Sequence, residues 1–217
     1  MKSALVLGAT GLVGREIVAQ LEADPVVERI VLLVRRAPDR SANAKTEVRI
    51  TNFWEPASFA EKLEADVLFS ALGTTLSAAG SKDAQYVVDY TFQYEVARAA
   101  KAAGVSTLSL CSAIGANADS RSFYTRIKGE LERDVIALGF ERTRIARPSF
   151  LDGDRTESRP GEKVGMFFMR GLGKLPGISK YRAIHVRTVA RAMIALAKDP
   201  TPGVSAVDST DLFALGA

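Results

Sequence analysis

The sequence begins Lys2-Ser3-Ala4-Leu5-Val6-Leu7, turns through Gly8-Ala9-Thr10-Gly11-Leu12-Val13-Gly14, and continues Arg15-Glu16-Ile17-Val18. An apolar strand runs straight into a glycine-rich turn, and an amphipathic helix leaves it, with Leu12, Val13, Ile17, Val18 and Leu21 on one face. Each glycine has its own physical reason. Gly8 permits a tight turn out of a buried strand. Gly11 lacks a Cβ, so the backbone can approach a pyrophosphate. Gly14 lets the following helix pack on the strand. The helix starts where phosphates would sit, and its free N–H groups and dipole favour negative charge. The spacing is G-x-x-G-x-x-G. A lone glycine pattern is weak evidence, but the strand before it and the helix after it supply the context the reading needs.

A second buried strand, Arg29-Ile30-Val31-Leu32-Leu33-Val34, ends at Arg35-Arg36. In a dinucleotide-binding unit the end of this strand meets the adenosine ribose. A carboxylate there suits the 2′-hydroxyl of NAD, and arginine suits the 2′-phosphate of NADP. Two guanidiniums stand there and no carboxylate does, so the expected cofactor is NADP(H). The plainer alternative is that both arginines solvate a strand end.

Strands and helices then alternate. A third strand is expected at Glu47–Thr51, a fourth at Asp66–Ala71, a fifth at Ser106–Cys111 and a sixth at Thr143–Ala146. A long helix is expected over residues 82–103, ending at Gly104, and another over 122–138, ending at Gly139. A final helix, Val186–Lys198, precedes a short strand at Val204–Val207. Such alternation predicts an α/β, Rossmann-type doubly wound parallel sheet covered on both faces. Past Pro148 the pattern loosens. The expectation is one domain over residues 1–217, with 149–185 adding a small substrate lobe that carries an apolar patch at Met166–Met169.

The composition agrees with an enzyme handling small molecules. The 217 residues are 47% hydrophobic, enough for a sizeable core. No apolar run approaches the ~20 residues of a membrane span. The strand-like start leads us to expect no signal peptide. One cysteine, Cys111, forbids an internal disulfide and fits a reducing compartment, so a cytoplasmic location is expected. With one histidine and one cysteine, no zinc site of the usual kind is expected. The net charge of +4 is spread along the chain without a basic stripe interleaved with aromatics, so nucleic acid is not the expected ligand.

A second constellation carries chemistry. Tyr124 and Lys128 lie four apart and share one helical face, and Ser112 ends the fifth strand. Ligands of doubly wound sheets bind outside the carboxyl ends of the strands, where these three can converge. Free tyrosine, with a pKa of ~10, is a poor base near neutrality. A neighbouring ammonium is expected to lower that value. Tyr124 would then exchange a proton with a carbonyl or alcohol oxygen, Ser112 would hold the same oxygen, and Lys128 would also bond the nicotinamide ribose. The bland reading is a half-buried helical face and a loop serine. Cys111 reads as a small hydrophobe in a buried strand, and the single His185 as a structural histidine at a helix start. For Trp54, core or lid packing is the default.

The turn Gly8–Gly14, Leu72-Gly73-Thr74-Thr75, Ser112, Tyr124-Thr125-Arg126-Ile127-Lys128 and Arg147-Pro148-Ser149-Phe150-Leu151 together resemble the short-chain dehydrogenase/reductases. Leu110–Ala116, Lys128-Gly129-Glu130 and Asp154–Glu162 are similar to the atypical group that includes the Tat-interacting protein and its fungal and bacterial relatives. The resemblance covers almost the whole chain. It implies an NADP(H)-binding Rossmann domain acting on a small molecule. In it Thr10, Leu12 and Val13 line the pyrophosphate, Asn52 and Phe53 lie near adenine, Leu72, Gly73 and Thr74 border the cofactor, and Pro148, Phe150 and Leu151 pass the nicotinamide. A homodimer through long helices is also implied. Many relatives place an asparagine in the long helix to hold a proton-relay water, and this chain has Asp89 there, which puts such a relay in doubt. The short segment past Pro148 weakens a sugar-nucleotide epimerase reading. The expected activity is NADP(H)-dependent interconversion of a small carbonyl and alcohol. The rivals are an NADP(H) sensor that binds a protein partner without turnover, and an epimerase-like enzyme.

Overall fold

The computed structural model describes residues 1–38, 43–60, 63–153 and 182–217. Its first strand, β1 (Ser3–Leu7), is buried on both sides, which is why its sequence is continuously apolar instead of alternating. Successive side chains point to opposite faces. Ala4 and Val6 join one core with Val13, Ile17, Val18 and Leu21 of α1 (Leu12–Ala23). Leu5 and Leu7 join the other. The next strand, β2 (Arg29–Val34), divides in the same way, with Ile30, Leu32 and Val34 on the first face and Val31 and Leu33 on the second. Burying each such side chain contributes about 1.5–3 kcal/mol, so the strand pair anchors both layers.

The remaining strands of the main sheet are β3 (Thr46–Ile50), β4 (Val67–Ser70), β5 (Thr107–Cys111), β6 (Arg142–Arg147) and β9 (Gly203–Asp208). Among the described residues all seven are parallel, in the order β3-β2-β1-β4-β5-β6-β9. The chain order reverses direction between β1 and β4, so the crevice at their carboxyl ends is the switch point of the sheet. The expected Rossmann-type sheet is therefore present, with strand limits within a residue or two of those read from the sequence. Two short strands, β7 (Leu151–Asp152) and β8 (Ile184–His185), pair in parallel beside it. The expected lobe falls mostly on residues 154–181, and these, with the Met166–Met169 patch and the Asp154–Glu162 stretch, lie outside the described residues.

Helices cover both faces. Against the first face lie α1 and α7 (Val186–Lys198). His185 caps α7, its Nδ1 accepting the Arg187 N–H at 3.2 Å, so the histidine is structural as expected. Against the second face lie α5 (Phe92–Ala102) and α6 (Phe123–Ala137). The single long helix expected over 82–103 is interrupted. A short α4 (Lys82–Tyr86) passes into a π-helical turn, Val87–Thr91, before α5 begins. Here the Phe92 N–H bonds the Val87 carbonyl five residues back. The Gln93 side-chain amide donates to the Asp89 carbonyl at 2.8 Å while accepting from Ser70 Oγ at 2.8 Å. Residue propensities carry no signal for this wide turn, because its partner is a strand residue distant in sequence. Trp54, expected in a core or under a lid, is exposed and packs edge-on against Phe92.

One charged side chain inside the sheet is also structural. Arg144 of β6 is 2% exposed. Its guanidinium donates to the carbonyls of Leu196, Asp199, Thr201 and Gly203, fastening the end of α7 and the loop that follows to the sheet. A guanidinium cannot shed its charge, and carbonyls at a helix end carry partial negative charge that suits it. Arg144→Met keeps the length and apolar stem but strands those carbonyls. It is expected to cost roughly 2–4 kcal/mol, read as a lower midpoint in urea unfolding with unchanged slope. A loss below about 0.5 kcal/mol would show that the carbonyls find other partners.

Candidate functional site

The glycine turn is built as the sequence requires. Gly8 has φ +83°, and a Cβ on it would lie 2.6 Å from the backbone of Ala71 and Leu72 at the end of β4. A Cβ on Gly14 would lie 2.1 Å from the Gly8 carbonyl oxygen. Both positions therefore exclude any side chain on contact grounds alone. Gly11 differs. It caps the N-terminus of α1 without a side-chain hydrogen bond, is exposed, and would place a Cβ 3.2 Å from the Gly8 oxygen. The first-turn amides of α1 consequently open, uncapped, into the crevice.

That crevice is a cleft of about 530 Å³. The turn Thr10–Val13 forms one wall, the Leu72–Thr75 stretch after β4 a second, and Ser112, Tyr124 and Lys128 a third. The three residues expected to act together thus meet the glycine turn across one cavity. Ser112 Oγ is buried and has no hydrogen-bond partner among the described residues. An orphaned hydroxyl in a polar cleft is costly unless something else satisfies it, so it points to a ligand oxygen. Uncapped helix amides, a side-chain-free approach at Gly11 and this hydroxyl fit a nicotinamide dinucleotide.

The electrostatics hold one surprise. Lys128 and Asp89 are almost fully enclosed, with side chains 3% and 1% exposed, and Lys128 Nζ lies 2.9 Å from Asp89 Oδ1. Asp89 Oδ2 accepts the Thr74 N–H at 3.1 Å. Lys128 Nζ stands 6.0 Å from the centre of the Tyr124 ring. Burial disfavours the Lys128 ammonium, but the Asp89 carboxylate outweighs it and lifts the lysine above its usual value. Desolvation in the cleft raises the Tyr124 phenol. Lys128 pulls it down and Asp89 pushes back, and the balance stays above the ordinary tyrosine value. Lys128 thus acts on the phenol in the expected direction, but desolvation and Asp89 outweigh it. The lysine also pairs with a carboxylate that the motif did not include.

Other expected residues are placed as follows. Leu72, Gly73, Thr74 and Leu151 line the cleft. Arg35 and Arg36 are exposed at the end of β2. Asn52 is exposed after β3, its Oδ1 accepting the Trp54 N–H at 3.2 Å. Phe53 is buried, its ring against Phe59 and Phe92, so only its backbone can face a cofactor. Pro148 is buried, its carbonyl accepting from Ile114, and Phe150 is 45% exposed. Cys111, read as buried, is half-buried and lines the cleft, where desolvation pushes its thiol up to about 11. Arg15 and Thr75 also line the cleft and were not singled out from the sequence. Arg15 directly follows Gly14, so the glycine motif itself could have pointed to it.

A family model described as NAD(P)H-binding matches residues 8–200. A protein of Emericella nidulans named "Protein fmp52, mitochondrial" is 41% identical over 182 residues, covering 81% of this chain and 78% of the relative. Its namesake from Aspergillus fumigatus is 38% identical over 216 residues, 94% of this chain and 92% of the relative. Among solved structures, MoeE5 in complex with UDP-glucose and NAD superposes with a TM-score of 0.70 at 18% identity, over 99% of this chain and 81% of that one, a likeness of fold. The expected cytoplasmic location does not stand beside relatives that are named mitochondrial proteins. A lone cysteine speaks only for a reducing environment, and more than one compartment offers that. Among the described residues no helix is long and apolar enough to cross a membrane. With its glycine turn inside the matched span and close relatives along nearly its whole length, the chain belongs to the NAD(P)H-binding family.

Proposed function

We propose that this protein is an NADP(H)-dependent oxidoreductase of the short-chain dehydrogenase/reductase type that interconverts a small carbonyl and its alcohol. The observation that carries the reading is the buried Ser112 hydroxyl without a partner, in the same cleft as Tyr124, Lys128 and the uncapped start of α1. A bound nicotinamide would supply or accept the hydride. Ser112 would donate a hydrogen bond to the substrate oxygen, and Tyr124 would exchange a proton with that oxygen. Lys128, held from below by Asp89, would reach the ribose hydroxyls. Gly8, Thr10, Gly11, Leu12, Val13 and Gly14 would cradle the pyrophosphate. Arg35 and Arg36, exposed where the 2′-phosphate would lie, support NADP(H) over NAD(H).

The test is NADPH consumption against a panel of small aldehydes, ketones and quinones. With a substrate in hand, Tyr124→Phe removes one oxygen from a ring that is 42% exposed, so folding and NADPH binding should survive. Turnover should fall about 10²-fold or more. Full activity in this variant would overturn the assignment. Tight NADPH binding without turnover, together with a co-purifying protein, would favour a sensor.

Cofactor choice has its own test. The double variant Arg35→Ala with Arg36→Ala should weaken NADPH at least about tenfold, the loss of one charge-assisted contact of ~1.5 kcal/mol, and leave NADH nearly unchanged. Titration of both cofactors by fluorescence reads the difference. Equal losses would show that the arginines serve the strand end.

A further inference from the structure

Beside the exposed Arg15, Asp89 is a charged residue of the cleft wall that the motif reading leaves without a task. It is fully enclosed, on a π-helical turn that ordinary helix formation would not supply. Three features of the fold are arranged around its carboxylate. Lys128 Nζ lies 2.9 Å from Oδ1, the Thr74 N–H lies 3.1 Å from Oδ2, and Gly73 leaves room where a Cβ would sit 3.3 Å from Oδ1. A buried ion pair of this kind is weak evidence for stability, since well-packed apolar residues of equal volume often do as well or better. Its place beside Ser112 and Tyr124 calls for a chemical reason.

Lys128 is engaged directly by the carboxylate at 2.9 Å, and its Nζ lies 6.0 Å from the centre of the Tyr124 ring. The groups facing Tyr124 are Lys128 on its own helix, Asp89 on the π-helical turn, and Cys111 and Ser112 at the end of β5. Among the described residues, Arg15 of α1 is the other charged side chain lining the cleft. The Cys111 thiol is neutral near pH 7.

We propose that Asp89 is a positioning residue that takes up the Lys128 charge, so that Lys128 alone does not draw the proton off Tyr124 at neutral pH. The proposal rests on the reading of Tyr124 as the acid–base group. In that role the proton leaves the phenol oxygen for a substrate carbonyl oxygen, and the phenolate left behind takes a proton from water. The reductant for that carbonyl is NAD(P)H.

The experiment is a spectrophotometric titration of tyrosinate in the full chain without substrate. Wild type minus Tyr124→Phe isolates Tyr124 from the other four of the five tyrosines. Tyr124 should ionise above ~10, the free-tyrosine value. Asp89→Asn keeps the shape and the acceptor for Thr74 but removes the negative charge. Lys128 is then uncompensated and favours the phenolate, so the midpoint should fall by about one pH unit or more. A wild-type midpoint below ~10, or an unmoved midpoint in Asp89→Asn, overturns the proposal. The wild-type measurement decides even where Asp89→Asn does not fold. Because no turnover is read, failure here is separate from failure of the oxidoreductase reading, which Tyr124→Phe kinetics tests.

Discussion

Backbone meets backbone at the switch point of this sheet, with no room for a side chain, and the site depends on that contact. The Gly8 Cα faces Ala71 and Leu72, and the Gly14 Cα faces the Gly8 carbonyl, each at a distance that a Cβ could not occupy. Hence α1 can leave β1 at once and still pack on it, and the end of β4 can sit against the turn. Ala71 N–H bonds the Leu7 carbonyl at 2.9 Å and extends the ladder up to the crevice. A wider junction would separate the amides of α1 from the Leu72–Thr75 stretch and open the cleft between them.

The end of the cleft at Lys128 is set by a second constraint, a buried polar network. Ser70 at the end of β4 holds Gln93, Gln93 holds the Asp89 carbonyl, and Asp89 holds both Lys128 and Thr74. Buried polar groups demand partners, and here one chain of partners connects β4, the π-helical turn, α6 and the loop after β4. A further close contact locks α6 in place. Gly129 would put a Cβ 2.1 Å from the backbone of Asn117, so the helix carrying Tyr124 and Lys128 rests directly on the loop that precedes it. Ser112 stands outside this network, its hydroxyl without a partner among the described residues.

Much of the site was legible because its signals are local. Three glycines at fixed offsets, a tyrosine and lysine one turn apart, and a serine closing a strand each carry a geometric requirement that survives without knowledge of the rest of the fold. Phe53 shows the limit of that legibility. Its place after β3 matches an adenine-side position, yet its ring belongs to a core with Phe59 and Phe92, because apolar burial decides where an aromatic side chain turns. Arg144 shows the same limit from the other side. Nothing in a buried strand pattern predicts a guanidinium whose partners come from a loop more than fifty residues later.

The sequence by itself determined the order of strands and helices, the parallel sheet and the glycine turn. These follow from hydrophobic periodicity and from backbone freedom, both written residue by residue. Tertiary structure alone decided which group the Lys128 ammonium engages. Whether Lys128 lowers the Tyr124 phenol depends on what else stands within a few ångströms of its ammonium. The answer, Asp89, arrives from another helix through a π-helical turn that no propensity encodes. Charge interactions fall with distance in space and take no account of distance along the chain, so this part of the chemistry became visible only once the helices were packed.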